Sequence, residues 1–229
     1  MTHPKFAGIA ACVFDAYGTL FDVHSAAARC RTDLGPKADA VSETWRTKQL
    51  QYTWLRSLMG RHVDFWRVTG DALDYALDTH DIADGALRER LMGCYRALDA
   101  YPEVAETLER LRAAGLKRAI LSNGSPDMLA AAVAASGIEG LLDAVLSVEA
   151  VGIYKPHPSV YRFAVEALGV PAEAIAFLSS NAWDASGAAA FGFRVAWVNR
   201  FGQRPERLPG TPAAEIATLA DLPGLLGIA

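Results

Sequence analysis

The sequence predicts an α/β protein, a doubly wound parallel sheet into which an all-helical segment is inserted. The run 9–14, Ile-Ala-Ala-Cys-Val-Phe, is apolar on both faces, as in a buried parallel strand. From Pro102 onward, helical and strand-like segments alternate at short spacing, which indicates right-handed crossovers between parallel strands. Residues 23–100 are instead rich in helix formers, tryptophan and arginine, and contain no strand-like run.

These patterns predict a Rossmann-like core domain of residues 1–22 and 101–229 and a helical cap subdomain of residues 23–100. Apolar residues at helical spacing predict a first cap helix that ends at Gly60, with one apolar face formed by Val41, Trp45, Tyr52, Leu55 and Met59. Two further cap helices are predicted over 65–77 and 86–98. Core helices are predicted over 103–114, 126–136, 159–168 and 185–191. The remaining strands are predicted over 118–121, 144–148, 174–178 and 194–198, with 194–198 the last.

Composition narrows the class of protein. The 229 residues are 52% hydrophobic and 21% charged, which is normal for a soluble globular protein. The net charge of −4 argues against a nucleic-acid partner. Cys12, Cys30 and Cys94 lack a CxxC spacing, which favours reduced thiols in a cytoplasm. No signal peptide or membrane-spanning run is evident, so we expect a cytoplasmic protein with no membrane partner.

A carboxylate directly follows the first strand. Asp15 stands at the strand end, Gly18 permits a tight turn, and Thr19 offers a hydroxyl four residues after the acid. The carboxyl ends of parallel strands border the crevice in which open α/β folds bind ligands. An Asp in that position can be a nucleophile, but it can also simply cap a turn.

Three more polar clusters follow predicted strands: Ser122-Asn123-Gly124-Ser125, Tyr154-Lys155-Pro156 and Ser179-Ser180-Asn181-Ala182-Trp183-Asp184. Taken singly, each has a simpler explanation, because serine and asparagine commonly cap helices and lysine is commonly solvated. Capping alone does not explain four clusters at successive strand ends. The sequence therefore predicts that they meet in one catalytic crevice.

The order Asp, Ser-Asn, Lys-Pro, Asp resembles the haloacid dehalogenase superfamily over essentially the whole chain. Most members are magnesium-dependent phosphatases with the pattern DxDGT and a Gly-Asp-x-x-x-Asp motif. Here Tyr17 and Ser180 replace two of those acids, which weakens a site for a hard cation. The spacing of His24, His62, His80 and His157 also predicts no metal centre. We expect no metal and no cofactor.

Where the chain differs from the phosphatase pattern, it resembles one branch of the superfamily, the L-2-haloacid dehalogenases. The resemblance lies in three segments: Asp-x-Tyr-Gly-Thr at 15–19, Ser-Ser-Asn-Ala-Trp-Asp at 179–184 and Trp-Arg-x-Lys-Gln-Leu-x-Tyr-Thr-Trp at 45–54. The resemblance implies hydrolysis of short-chain (S)-2-haloacids to (R)-2-hydroxyacids and halide, with inversion, through an aspartyl ester. It also implies a homodimer. The alternatives are a magnesium-dependent phosphatase of the same superfamily and a non-catalytic binding protein on this fold.

The resemblance also implies residue roles. Asp15 is the nucleophile, Thr19 orients it, and Lys155 keeps it ionised. The substrate carboxylate is held by the side chains of Ser122 and Asn123 and the backbone N–H groups of Ala16 and Tyr17. The remaining catalytic candidates are Arg46, Ser179, Asn181 and Asp184.

Several of these roles stay open. Arg46 faces either the halide or the carboxylate, with Asn181 beside it, and Asp184 activates water directly or through Lys155. An apolar wall is expected from Tyr17, Leu50, Phe65 and Trp183, with Tyr161 forming hydrogen bonds in the site. Ordinary core packing explains Leu50, Phe65 and Tyr161 nearly as well.

Overall fold

The fold was obtained as a computed structural model that describes residues 3–23, 29, 31–96 and 98–228. The predictions for His24 and Cys30 lie outside these residues. The chain forms a parallel sheet, as the sequence predicts, and the sheet has six strands. The strands are β1 Ala11–Phe14, β2 Lys117–Ser122, β3 Ala144–Ser147, β4 Ile175–Ser179, β5 Arg194–Val198 and β6 Ala214–Ile216.

The sheet order is β3-β2-β1-β4-β5-β6, which is that of a doubly wound fold. β1 is central and fully buried, and it pairs in parallel with β2 on one side and β4 on the other. The strand order reverses beside β1, so the crevice at its carboxyl end is the expected ligand site. Asp15, which follows β1, extends the pairing by donating its backbone N–H to the Leu178 carbonyl at 2.8 Å.

Nine α-helices are described: α1 Arg31–Leu34, α2 Ala38–Leu58, α3 Phe65–Thr79, α4 Gly85–Arg96, α5 Val104–Ala113, α6 Pro126–Ala135, α7 Pro158–Leu168, α8 Ala182–Phe191 and α9 Leu222–Leu226. Single turns of 3₁₀ helix cover Pro4–Phe6, Gly35–Lys37, Glu139–Leu141, Val148–Ala150, Ala172–Ala174 and Leu219–Asp221. No helix in the described ranges is long and apolar enough to cross a membrane.

Most predicted elements are confirmed to within a few residues, but the prediction that 194–198 is the last strand is wrong. β6 follows it and pairs in parallel with β5, Trp197 lying opposite Glu215. β6 has only three residues, Ala-Glu-Ile, one of them charged, and so it lacks the apolar run that identifies the other strands.

The predicted apolar face of the first cap helix is partly wrong. Leu55 and Met59 are exposed, at 47% and 68%, and Tyr52 is half-buried. The buried face of α2 instead continues from Ala38, Val41 and Trp45 through two polar residues, Gln49 and Thr53. Both polar side chains form hydrogen bonds, and this allows them to occupy an interior that the apolar pattern assigns elsewhere.

The chain passes between the sheet and the helical block α1–α4 at two adjacent segments, 19–23 and 98–103. Phe21 and Ala100 form an antiparallel bridge, and the Tyr101 N–H donates to the Leu20 carbonyl at 2.9 Å. The guanidinium of Arg200, just beyond β5, donates to the Thr19 carbonyl at 2.8 Å and pairs with Glu103 at 2.7 Å. These contacts fix the position from which the helical block covers the sheet edge.

Candidate active site

Asp15 stands at the centre of the crevice, and each of its carboxylate oxygens accepts hydrogen bonds. Oδ1 accepts from Lys155 Nζ at 3.0 Å. Oδ2 accepts from Asn181 Nδ2 at 2.9 Å and from the Thr19 hydroxyl at 3.2 Å. Thr19 is itself oriented, because its oxygen accepts the Ser180 backbone N–H at 2.8 Å. Asp15 is thus a buried carboxylate whose direction is set by three side chains.

Lys155 is fully buried and lies between two carboxylates. Its Nζ donates to Asp15 Oδ1 at 3.0 Å and to Asp184 Oδ2 at 2.8 Å. Burial by itself would lower the pKa of Lys155, but the charges of Asp15 and Asp184 together raise it. The ammonium group is therefore charged at neutral pH and shared by both acids.

Asp184 is completely buried, and both its oxygens are engaged. The Tyr161 hydroxyl donates to Oδ1 at 2.8 Å, while Lys155 holds Oδ2. Burial and the nearby charge of Asp15 raise the pKa of Asp184, against the opposing effect of Lys155. Burial and the adjacent carboxylate likewise raise the pKa of Tyr161, which keeps its proton and remains a donor.

Asp184 does not cap the helix that carries it. α8 begins at Ala182 rather than 185, and the cap position belongs to Asn181. Asp184 therefore lies in the first turn of the helix, with its side chain directed to Lys155 and Tyr161.

The cluster after β2 contributes to this network. Ser122 Oγ accepts the Gly124 N–H at 3.0 Å, and Asn123 Oδ1 accepts the Lys155 N–H at 3.1 Å. Asn123 thereby ties the β2 end to the lysine segment. The sequence suggests that this segment follows β3 directly, but a 3₁₀ turn over Val148–Ala150 and a further loop lie between them.

The turn after β1 presents two backbone donors. The N–H groups of Ala16 and Tyr17 donate to no acceptor among the described residues, although both residues are buried. Unpaired buried N–H groups are rare, and here they lie beside a carboxylate-lined crevice. They are suited to a ligand oxygen or another anion.

An aromatic wall closes one side of the crevice. The Tyr17 ring lies 6.0 Å from Phe65 and 5.9 Å from Tyr95, centroid to centroid. Its buried hydroxyl has no hydrogen-bond partner in the described part of the chain, and burial, with the nearby Tyr95 and Asp15, raises the pKa of that hydroxyl. A Cβ at Gly124 would stand 2.6 Å from the Tyr17 ring, so only glycine leaves room for it.

Trp183 and Leu50 are also predicted wall residues, and Phe65 has already been placed beside Tyr17. Trp183 is half-buried and meets Trp54 of α2 edge-to-face at 5.4 Å. Leu50 is half-buried one turn beyond Arg46 on α2, and the structure gives it no contact that singles it out as a site residue. Phe65 is fully buried at the start of α3.

Arg46 brings a cation from α2 to this edge of the sheet. Its Nη2 donates to Asn181 Oδ1 at 3.0 Å, and its Nη1 donates to Gln49 Oε1 at 2.8 Å. Asn181 in turn holds Asp15, so a continuous hydrogen-bonded chain runs from the helical block to the carboxylate.

The remaining residues of the cluster after β4 shape the loop. Ser179 Oγ accepts the Asn181 N–H at 3.2 Å, and the Ser180 hydroxyl donates to the Gly18 carbonyl at 2.6 Å. A magnesium site does not fit this arrangement, because Ser180 and Tyr17 supply no carboxylate and a lysine stands between the two acids. Among the residues described, no three His, Cys, Asp or Glu side chains are grouped to hold a metal ion.

Sequence reasoning misses three residues that support the site. Gln49 is three residues after Arg46, a spacing that places two side chains together on a helix and so offered a signal. Arg200 follows the end of β5, like the other polar groups at strand ends. Tyr95, whose hydroxyl donates to Gln49 Oε1 at 3.1 Å, has no local sequence signal, because tertiary packing brings the two together.

A family model for haloacid dehalogenase-like hydrolases matches residues 9–192. The chain is 51% identical to (S)-2-haloacid dehalogenase 4A of Burkholderia cepacia, over 86% of this chain and 85% of the relative. It is 45% identical to (S)-2-haloacid dehalogenase 1 of Pseudomonas sp. strain CBS-3, over 95% and 96%.

A solved structure is similar throughout. It is the L-2-haloacid dehalogenase from Xanthobacter autotrophicus with chloropropionic acid covalently bound, which aligns with a TM-score of 0.90 and 42% identity. The alignment covers 96% of this chain and 98% of that one, so it includes both the sheet and the helical block.

Proposed function

This chain belongs to the haloacid dehalogenase-like hydrolases, and we propose that it hydrolyses short-chain (S)-2-haloacids to (R)-2-hydroxyacids and halide. The observation that carries this proposal is Asp15, a buried carboxylate at a strand end that is held by Lys155, Thr19 and Asn181. Tyr17 stands where the phosphatases of this superfamily carry a second acid. The names of the relatives and the covalently bound chloropropionic acid of the similar structure support it.

In the first step an oxygen of Asp15 attacks C2 of the haloacid from the side opposite the halogen. The new C–O bond forms an ester while the C–halogen bond breaks, and the halide leaves with the bonding electrons. The leaving halide needs no proton, so Tyr17 can occupy the position at which phosphatases of this superfamily carry an acid. Attack at C2 inverts that centre.

The cations and N–H donors around Asp15 bind the two negatively charged groups of the reaction, the substrate carboxylate and the leaving halide. The substrate carboxylate lies on the N–H groups of Ala16 and Tyr17, with Ser122 and Asn123 beside them. Arg46 and Asn181 receive the halide, and this assignment is favoured because Arg46 contacts Asn181 and not the cluster after β2. Tyr17, Phe65, Trp183 and Leu50 form the apolar wall around the halogen and the alkyl group.

In the second step water attacks the ester carbonyl of Asp15 and releases the hydroxyacid. Asp184 promotes this step through Lys155 rather than by direct contact with water, since it is completely buried and both its oxygens already accept hydrogen bonds. Tyr161 fixes Asp184, and Ser179 fixes the loop that carries Asn181.

We also propose that residues 23–100 act as the cap subdomain and that the protein is a cytoplasmic homodimer. The paired crossing segments around Phe21 and Ala100 support the first statement. The exposed apolar side chains of Leu55, Leu58 and Met59 at the end of α2 support a dimer contact. Sedimentation of the protein at several concentrations tests the dimer.

The activity is tested by halide release from L- and D-2-chloropropionate, each with and without a chelator. We expect release from the L-isomer alone and at the same rate with chelator, because the two carboxylates share a lysine instead of a metal ion. A strict requirement for added magnesium would indicate phosphatase-type chemistry, and no release from either isomer would favour a non-catalytic protein.

A further inference from the structure

We propose that Gln49 is a positioning residue that holds the Arg46 guanidinium at the crevice while leaving its positive charge available to an anion. The inference rests on the proposed function, because the anion is the haloacid or its halide. It adds a residue that touches neither the substrate nor the reacting atoms.

The Gln49 side chain is almost wholly buried, at 1% exposure, and both its amide oxygen and its amide nitrogen form hydrogen bonds. Oε1 accepts from Arg46 Nη1 at 2.8 Å and from the Tyr95 hydroxyl at 3.1 Å, while Nε2 donates to Thr69 Oγ1 at 2.8 Å. The Thr69 hydroxyl donates its proton to the Phe65 carbonyl at 2.7 Å, so its oxygen can only accept from Gln49. The partners fix which way the amide points, with its oxygen toward Arg46.

Ion pairing distinguishes the half-buried Arg46 from three other cations that are shielded from solvent. Arg118, Lys155 and Arg200 each pair with at least one carboxylate. Arg46 forms no ion pair within the described ranges, and both of its acceptors are neutral amide oxygens, from Gln49 and Asn181. A neutral oxygen orients a guanidinium without cancelling its charge, whereas a carboxylate would compete with an anionic ligand.

The same contacts place the cation before the ligand arrives. Arg46 and Gln49 are three residues apart on α2, so Gln49 holds the guanidinium beside the helix and directs Nη2 to Asn181. Arginine has a high side-chain entropy, and ordering it during folding removes that cost from the binding step. Through Asn181, this ordering reaches Asp15.

The direct test is substrate binding in an enzyme that cannot turn over. In the Asp15→Asn background, Gln49→Glu is expected to raise the Kd of L-2-chloropropionate about tenfold or more, because the new carboxylate neutralises Arg46. Gln51→Glu is the matched control. It makes the same change on the same helix, at a side chain whose Oε1 accepts from Lys48 Nζ at 3.1 Å, and we expect a change below about twofold.

A double-mutant cycle separates positioning from a general loss of structure. With Arg46→Ala present, Gln49→Glu should change the Kd less than about twofold, since its effect passes through the guanidinium. The neutral variant Gln49→Leu should weaken binding less than Gln49→Glu does. Should Gln49→Glu not fold, the cycle is run with Gln49→Leu, and additive effects of the two substitutions would overturn the inference.

The outcomes also distinguish this inference from the function on which it rests. Halide release by the unmodified chain, together with equal Kd values for Gln49→Glu and Gln51→Glu, would overturn the role of Gln49 alone. No halide release and no binding of the haloacid by the unmodified chain would contradict the proposed function, and the anion assigned to Arg46 would be lost with it.

Discussion

At the scale of single residues, the site depends on how one carboxylate is held inside the protein. Burial of an ionised acid is costly unless it is paired and hydrogen-bonded. Asp15 has one ammonium donor, one hydroxyl donor and one amide donor, from Lys155, Thr19 and Asn181. These donors hold both oxygens of the carboxylate in place.

Asp15→Asn tests this local account. The amide is nearly isosteric, so we expect the fold to survive, but it cannot displace a halide. Halide release should fall by about 10⁴-fold or more, as for the loss of other catalytic nucleophiles. Circular dichroism should match that of the unmodified protein, and retention of most of the activity would remove Asp15 from the nucleophile position.

At the scale of elements, α8 matters because it brings Asp184 close to the lysine segment. The helix is rich in alanine and contains Gly187, where a Cβ would stand 2.6 Å from Pro156 Cβ and 2.7 Å from the Tyr161 hydroxyl. The absence of a side chain therefore lets α8 approach the residues that hold Asp184 and Lys155.

Gly187→Ala should push Tyr161 or Pro156 away and loosen the Asp184 contact. We expect kcat to fall roughly tenfold, which corresponds to about 1.4 kcal/mol in the activation barrier. The matched control is Gly93→Ala in α4, where a Cβ meets nothing within 4 Å. That change should leave kcat unaltered and stabilise the protein by up to about 1 kcal/mol. Equal kcat values for both variants would show that the close approach is not needed.

Sequence reasoning succeeded for the elements that carry strong local patterns. The central strand is apolar on both faces, which identifies it as a buried strand. Asp15 directly follows it, and Ser122 and Ser179 end the two neighbouring strands. Because the carboxyl ends of parallel strands lie at one edge of the sheet, the sequence predicts that these three residues lie close together. Sequence reasoning failed where tertiary context decides. The β6 strand is too short and polar to stand out, and Gln49 replaces an apolar residue on the buried face of α2 because Arg46, Tyr95 and Thr69 satisfy it.

At the scale of the whole molecule, the sheet and the helical block are joined where two chain segments cross. Glu103 lies at this junction and accepts from Arg200 at 2.7 Å and from the Thr218 hydroxyl at 2.9 Å. Burial would raise the pKa of Glu103, but its own backbone N–H, Arg200 and Thr218 together hold it below its usual value. The folded state therefore binds a proton at Glu103 less readily than the unfolded chain does.

That difference predicts a pH dependence of stability. A lowered pKa stabilises the fold above the unfolded value of about 4.3, and the contribution is lost as the pH falls through the folded value. Glu103→Gln should thus be less stable than the unmodified protein at pH 7, and the gap should close as the pH falls below about 4.3. Urea unfolding across this range measures it. Glu106→Gln, at an exposed position in α5, the helix that Glu103 precedes, should show no such gap.

Whether Asp15 forms an ester with the substrate is decided by a single turnover in ¹⁸O-water with enzyme in excess. The ester uses an oxygen already on Asp15, and water then attacks the Asp15 carbonyl. Mass spectrometry should therefore find an unlabelled hydroxyacid and one ¹⁸O atom in the peptide that contains Asp15. A labelled hydroxyl group in this first turnover would contradict the account, because it would mean that water attacks C2 directly and that Asp15 acts as a base.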